Sequence, residues 1–305
     1  MSISEPIQEM ATTKKNVKVS VIIPTYKDWD RVFICLDALS KQTYPQNDFE
    51  VIVVNNNPKG NVPKLDLLPN VVIIEEAQPG SYAARNTGIS HSNGDVLVFT
   101  DADCTPDVKW LTEGVKAIEN GADRVAGLIS LEQSPKNRQT AAEIYSKAFV
   151  FDQFKRVKKG VAVTANLFVK KDVFDRVGQF NEQLMSGGDF EWNERATSLG
   201  CNIVYSPNAK VTHPSLKTIS ELLKKERRIA GGVITRKKMR GEGISVLSLV
   251  RNLFPPVRVL FRLLKRKDLT HYEAFIAFSV HYFLNGYKQY SKFLIYSGLR
   301  GVTRC

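Results

Sequence analysis

The first regular pattern in the chain is Val17-Lys-Val-Ser-Val-Ile-Ile-Pro24, an apolar, β-branched run stopped by proline, which predicts a buried strand. Asp28-Trp29-Asp30 offers a helix start, and Val32, Leu36 and Leu39 recur at helical spacing as far as Ser40. Phe49–Val54 predicts a second strand, and Asn55-Asn56-Asn57-Pro58 after it is a turn signal. Val71–Ile74 is a third strand, and Gly80 opens a helix from about Tyr82 to Ser90. The unbroken run Val96–Phe99 suits a central strand covered on both faces, and a helix from Asp107 to Glu119 follows Pro106. Strand, helix, strand, strand, helix, strand, helix reads as a doubly wound, mostly parallel α/β sheet.

Beyond Asp123 the order loosens. Arg124–Leu131 predicts a strand, Thr140–Phe154 a helix, Val161–Val169 a β-rich segment, and Asp172–Val177 a short helix closed by Gly178. Gly187-Gly-Asp-Phe-Glu191 leads into a helix to about Leu199, and two short strands, Asn202–Tyr205 and Lys210–Thr212, precede His213. Neither an internal repeat nor a low-complexity segment is present.

Charge divides the chain more sharply than hydropathy does. Of the net +12, residues 215–305 carry 19 Lys+Arg against 5 Asp+Glu, leaving 24 against 26 in residues 1–214. A boundary near residue 214 follows, with a different task on either side. A length of 305 residues with 43% hydrophobic content supports one large or two modest domains. The four cysteines, Cys35, Cys104, Cys201 and Cys305, are far apart without CxxC spacing, which predicts neither a zinc site nor a disulfide framework and favours a reducing cytoplasm. Residues 1–16 read as a flexible, polar N-terminus, and no signal peptide is expected.

Candidate chemistry collects at the strand ends. Asp101 and Asp103 close the fourth strand, where open α/β sheets bind ligands. Two carboxylates this close repel, and Mg²⁺ or Mn²⁺ shared with substrate phosphates relieves the repulsion. An isolated Asp-Ala-Asp reads as a solvated turn, but this one has company on the same sheet edge. Tyr26 can stack a base, Asn55 and Asn56 can read its edge and a ribose, and Arg85 can neutralise charge. That is a nucleotide-diphosphate site with neither a P-loop nor a GxGxxG.

The motifs Ser20-Val-Ile-Ile-Pro-Thr-Tyr26, Val51–Val54, Gly80-Ser-Tyr-Ala-Ala-Arg-Asn-Thr-Gly88, Phe99-Thr-Asp-Ala-Asp103, Val177-Gly-Gln-Phe-Asn181 and Gly187-Gly-Asp-Phe-Glu-Trp192 with Arg195 occur in this order. Together they resemble the family 2 inverting glycosyltransferases of GT-A fold, over about residues 17–214. The resemblance implies a Rossmann-like GT-A catalytic domain at 17–214, with a nucleotide-binding half at 17–104 and an acceptor half at 105–214. By the same resemblance Pro24, Thr25, Tyr26, Asp28 and Asn55 would line the nucleobase pocket, Asn56 would lie near the ribose, Arg85 would face the donor, and Asp101 and Asp103 would frame diphosphate and metal. His213 would be a third metal ligand. The donor would be a nucleotide-diphosphate sugar, with a UDP-sugar favoured, and the acceptor a glycan or lipid-linked hydroxyl in polysaccharide or cell-envelope synthesis.

Two positions depart from the family pattern. Asn55-Asn56-Asn57 stands where an acidic pair is usual; an Asn oxygen still accepts from a uracil N–H, but the side chain brings no charge and can also donate. Gly188 stands where a Glu usually precedes the catalytic Asp, leaving Asp189, six residues before Arg195, as the expected base that takes the acceptor's proton. Helix capping is the structural alternative for Asp189, and Glu191 the alternative base. Trp192 reads equally as an acceptor platform or a core aromatic.

The basic extension mixes cations with apolar residues. Lys224, Arg227, Arg228 and Arg236 are alternatives for a diphosphate contact. Leu247–Leu264 and Leu269–Tyr296 are apolar, aromatic segments edged by Lys and Arg, and the longest uncharged run, Ala274–Tyr287, is short of the ~20 residues that cross a bilayer. They predict helices lying on an anionic inner membrane face, or a helical subdomain packed on the catalytic domain. A nucleic-acid partner is not expected, because the cations are interleaved with long apolar stretches. A sugar-phosphate nucleotidyltransferase would carry a Gly-rich basic loop where Pro24-Thr-Tyr-Lys-Asp28 stands. A catalytically inactive, membrane-associated scaffold is the remaining competitor.

Overall fold

The computed structural model describes residues 17–60, 62–63, 68–149, 151–243 and 254–301. The expected flexible N-terminus, 1–16, and residues 247–253 of the predicted Leu247–Leu264 segment lie outside the described residues.

Eight strands form one sheet: β1 (Val19–Thr25), β2 (Phe49–Asn55), β3 (Val71–Glu75), β4 (Val96–Thr100), β5 (Thr105–Pro106), β6 (Arg124–Glu132), β7 (Asn166–Lys170) and β8 (Ile203–Pro214), in the order β3-β2-β1-β4-β7-β6-β8-β5. The pairs β1–β2, β1–β4, β2–β3 and β6–β8 are parallel, while β7 runs antiparallel between β4 and β6 and β5 runs antiparallel to β8. Alternation along the strands sends side chains to opposite faces. Val21, Ile23, Val51, Val53 and Val98 pack beneath helices α1 (Trp29–Ser40) and α3 (Trp110–Glu119). Ile22, Ile52, Val54, Leu97 and Phe99 pack beneath α2 (Ser81–Ser90), α6 (Lys171–Val177) and α7 (Gly188–Ser198). Covering both faces requires the near-continuous apolar runs seen in the sequence.

Local differences from the expected elements have identifiable causes. Pro24 does not end β1, because it lies beyond the last pairing with β4 (Ile22 with Phe99), where no ladder bond is lost on that side. The predicted Thr140–Phe154 helix is two helices, α4 (Ala141–Phe149) and α5 (Gln153–Val157), with Phe151 between them at φ 57°. The two short strands before His213 are one, β8, whose pairing with β6 is interrupted by a bulge at Gly127/Leu128. Glycine is required there: a Cβ at 127 would fall 2.2 Å from the Ala209 carbonyl oxygen.

The basic extension folds onto the sheet domain. Helix α8 (Ile219–Met239) and the last helix, α10 (His271–Tyr296), each begin with a capping box, Thr218 with Glu221 and Thr270 with Glu273. Leu222 of α8 and Val280 and Leu284 of α10 close over Ala142 and Tyr145 of α4. Ile144 of α4 packs with Leu269, Ala274, Ala277 and Leu263, the last on α9 (Val257–Leu264). Among the described residues no helix is long and apolar enough to cross a membrane.

Candidate active site

The C-terminal edges of β1, β2 and β4 and the first turns of α2 and α7 converge beside α8. Pro24, Thr25, Tyr26, Asn56, Gly80, Ser81, Met185 and Arg228 line a cleft of ≈ 560 Å³, part of it open to solvent. Three of the side-chain hydrogen bonds of Asn56 go to backbone, to the Glu76 and Gln78 carbonyls at 2.8 and 2.7 Å and from the Gly80 N–H at 2.9 Å. Asn56 thereby ties the end of β2 to the loop entering α2 and shapes the cleft wall. Asn55 is buried behind it, its Oδ1 accepting from the Asn57 N–H at 3.0 Å while its Nδ2 and the Thr25 hydroxyl are buried without a partner among the described residues. Asp28 does not line the cleft; it lies 3.8 Å from Arg31 at the start of α1.

The two acidic residues after β4 have separate partners. Asp101 binds the Arg85 guanidinium at 2.5 Å, and Arg85 is almost fully buried. Asp103 lies 3.3 Å from Arg31 and, through Oδ1, 3.4 Å from Nε2 of His213. Antiparallel pairing of β5 with β8 and parallel pairing of β6 with β8 bring His213 to this point, although 110 positions separate it from Asp103. Burial pushes the Asp103 carboxyl up, opposed by His213 and supported by Asp101. Nδ1 of His213 faces the Pro214 carbonyl at 2.7 Å, and the Phe151 ring packs 4.7 Å from the imidazole. Cys104 completes the one group of three metal-competent side chains among the described residues, within 4.8 Å of one another. Its thiol is buried, pushed well above its ordinary range by burial and by Asp101 and Asp103, and directed at the Ala165 carbonyl. The metal-competent group thus joins Asp103 and His213, while Asp101 is turned towards Arg85.

Asp189 sits in the first turn of α7 and is 8% exposed. It is not the cap: Gly187 holds that position in the left-handed conformation, at φ 78°. Oδ1 accepts from the Tyr82 hydroxyl at 3.2 Å and the Phe190 N–H at 2.9 Å; among the described residues Oδ2 has no donor. Burial raises the carboxyl above its ordinary range, opposed by these hydrogen bonds and by Arg85 and Arg156. Glu191 is committed elsewhere, both oxygens facing Arg195 at 2.8 and 3.3 Å, and Arg195 also holds the Val177 and Gln179 carbonyls. Trp192 is a core residue, fully buried, stacked on Phe174 at 4.6 Å and donating to the Gly178 carbonyl at 2.7 Å.

Of the alternative tail cations, Arg228 reaches the cleft, whereas Arg236 pairs with Glu194 at 2.7 Å. Sequence patterning did not single out Tyr82, Arg156 or Lys225. Lys225 lies over the Phe151 ring at 5.0 Å, and burial together with Arg228 lowers it to about 8. The only sequence trace of Tyr82's role is Gly188: a Cβ there would fall 2.8 Å from the tyrosine ring.

A family model described as glycosyl transferase family 2 matches residues 20–178, more than half of the chain. The chain belongs to glycosyltransferase family 2. Similar relatives include glycosyltransferase AglE of Haloferax volcanii, 41% identical over 225 residues that cover 71% of this chain and 73% of AglE. A Methanococcus voltae dolichyl N-acetyl-α-D-glucosaminyl phosphate 3-β-D-2,3-diacetamido-2,3-dideoxy-β-D-glucuronosyltransferase is 22% identical over 225 residues, 68% of this chain and 70% of that one. Among solved structures, the Pyrobaculum calidifontis mannosyltransferase PcManGT, in complex with GDP-Man and Mn²⁺, superposes with a TM-score of 0.60 at 15% identity, covering 94% of this chain and 89% of that one. The family 2 membership and this superposition establish a GT-A fold and a glycosyltransferase.

Proposed function

We propose that this chain is a metal-assisted, inverting transferase that moves a sugar from a nucleotide-diphosphate donor to an acceptor hydroxyl, with Asp189 as the base. The observation that carries the reading is the placement of Asp189: a buried carboxylate whose Oδ2 has no donor among the described residues, held by Tyr82, whose neighbours Gly80 and Ser81 line the cleft. The base of the donor enters between Pro24, Thr25 and Tyr26 above Asn55. The hydrogen bond from Asn57 fixes the Asn55 amide behind this wall, and a UDP-sugar is the donor favoured by the family resemblance. Arg228 and Arg85 supply positive charge along the diphosphate.

The residues fit a divalent cation. Were His213 neutral with Nδ1–H on the Pro214 carbonyl, Nε2 and Asp103 Oδ1 would be two acceptors 3.4 Å apart without a proton between them, an arrangement that a cation completes. The carboxylate and imidazole set suits Mg²⁺ or Mn²⁺, whereas the raised, carbonyl-bound Cys104 thiol does not add a thiolate. Asp103 and His213 would hold the ion, with Asp101 close by, and the ion would act as a Lewis acid on the leaving diphosphate. Asp189 takes the acceptor's proton on Oδ2 while the hydroxyl attacks the anomeric carbon from the face opposite the leaving group. Tyr82 keeps the carboxylate in one orientation.

The relative acting on a dolichyl phosphate-linked glycan supports a lipid-linked or glycan acceptor in envelope glycan synthesis. The cleft lining at Pro24–Tyr26, Asn56 and Gly80–Ser81 supports reading residues 17–104 as a nucleotide half and 105–214 as an acceptor half. Thermal-shift titration with UDP, GDP, dTDP and ADP, each with Mn²⁺ and with EDTA, tests the reading on wild type and Asp103→Ala. Stabilisation by one diphosphate, requiring both metal and Asp103, is expected. No response to any of the four, where a control transferase responds, would sink it.

A further inference from the structure

Helix α10 has 26 residues and only three charges, Glu273, Lys288 and Lys292. All three are engaged towards the protein. Glu273 is 5% exposed and pairs with Lys147 of α4 at 3.3 Å, Lys288 pairs with Glu226 of α8 at 2.6 Å, and Lys292 reaches Gln289 at 3.5 Å. The opposite side carries Tyr272, Phe275, Tyr282, Phe283, Tyr290 and Phe293, between 38% and 74% exposed. At 100° per residue these six fall within an arc of about 100°, and they span roughly 32 Å of helix. The core does not require them: α10 is anchored by Ala274, Ala277, Val280, Leu284 and Ile295 on its other side. An uncharged aromatic stripe of this length on an outer helix needs an occupant.

Helix α9 packs on α10 through Leu263 and adds an exposed apolar face of its own. Val257 and Phe261 are 52% and 61% exposed, and Phe254 just ahead of the helix is 69% exposed. Interleaved with them are Arg258, Arg262, Lys265 and Lys267, all exposed and none with a carboxylate partner among the described residues. Charge selects between occupants. A second copy would bring another extension with 19 basic and 5 acidic residues against this one, and like charges would oppose the contact. An anionic bilayer offers complementary charge to the four cations and an apolar boundary to the rings, and Tyr and Phe suit that depth because their faces are apolar and the tyrosine hydroxyl stays wet. Among the described residues no helix is able to span, so the two helices would lie in the interface.

We infer that the outer faces of α9 and α10 form one membrane-docking surface for an anionic lipid bilayer, seated at the boundary between headgroups and acyl chains. Helix α8 is packed between α10 and the sheet domain and carries Arg228 into the cleft. One helix therefore separates the lipid-facing stripe from the donor site, which suits an acceptor presented from the membrane. This surface is assigned independently of the active-site reading.

Vesicle flotation of the full chain tests it, using phosphatidylcholine vesicles with and without about 30 mol % phosphatidylglycerol. Binding at least about tenfold stronger to the anionic vesicles is expected, and weaker again at high salt. Phe275→Ser/Phe283→Ser/Phe293→Ser and, separately, Arg258→Gln/Arg262→Gln/Lys265→Gln/Lys267→Gln should each weaken binding at least about tenfold, with melting temperature and the nucleotide thermal shift unchanged. Asp103→Ala should lose the nucleotide shift and still float, so failure here and failure of the active-site reading are distinguishable. Absence of vesicle binding by wild type, or wild-type binding by the aromatic variant, would overturn the inference. So would a wild-type dimer in light scattering that the aromatic variant renders monomeric, because a second copy would then cover the stripe.

Discussion

The Tyr82 hydroxyl donates to Oδ1 of Asp189 across 3.2 Å, joining the first turn of α2 to the first turn of α7 through residues 107 positions apart. The tyrosine ring stands where a side chain at 188 would project, which accounts for glycine in place of the family's usual Glu. A donor to the ionised carboxylate favours the charged form and lowers its pKa against the upward push of burial. Tyr82→Phe keeps the ring and removes the hydrogen bond. Its kcat should fall by about fivefold to thirtyfold, the equivalent of roughly 1–2 kcal/mol, with donor KM unchanged. Because the Asp189 pKa rises further, the acid limb of the pH–rate profile should move to higher pH. A limb that stays in place would remove Tyr82 from the base's electrostatics.

Asp189→Asn should reduce transfer by about 10²–10⁴-fold while leaving nucleotide binding intact. The folded-state pKa of Asp189 lies above its unfolded value, so the ionised form is penalised by folding once pH exceeds the unfolded value. A neutral amide removes that penalty. Calorimetry at neutral pH should therefore find a melting temperature no lower than that of wild type, and a fall of several degrees would mean that the carboxylate's main task is structural.

Arg228 and Arg236 lie two turns apart on α8 and have opposite assignments. Arg228→Ala should raise donor KM by about tenfold, as expected for one charge-assisted contact to a phosphate. Arg236→Ala, which releases only a surface pair with Glu194, should leave donor KM within about twofold of wild type. Steady-state kinetics on the two variants compares them directly; equal effects would argue that the extension acts through overall charge.

Lys225 makes stability depend on pH in the alkaline range. Its folded pKa, about 8, is below the unfolded value near 10.5, so between these the unfolded chain binds the proton and the native state does not. Stability should rise with pH through that window by at most about 3 kcal/mol relative to Lys225→Met, which lacks the group. Urea melts of both proteins at pH 7.5 and pH 9.5 measure the difference. Identical pH responses would show that Lys225 is solvated.

Residues whose role is set along the chain were readable from it. Apolar runs gave β1, β2 and β4 because both sheet faces are covered, and the strand-end motifs placed Thr25, Tyr26, Asp101 and Asp103 on one edge. The concentration of Lys and Arg beyond residue 214 was readable as well, but not that Lys225, Arg228 and Arg236 would be partly buried. Contacts across the fold were not readable. The bulge at Gly127 merges two apparent strands into β8, and its length brings His213 to Asp103. The left-handed backbone at Phe151 breaks an apolar period that otherwise continues, and no residue type there announces it. Arg156 and Lys225 look like ordinary surface cations in sequence, because only the packing of α5 and α8 against the cleft buries them. Trp192 was undecided until Phe174 and the Gly178 carbonyl were found to enclose it.

The position of β7 has a consequence for how the chain acquires its shape. Residues 166–170 supply the partner along the free edge of β4, and β6 pairs on the far side of β7. A fragment ending near residue 104 would contain β1 to β4 yet leave β4, five uncharged residues, as an unpaired edge, a template for intermolecular pairing. β7 therefore ties the strands before residue 104 and those after it into one sheet. The strand that seals the donor half is synthesised some sixty residues after it, so the nascent chain must wait for β7 before its sheet is safe from aggregation.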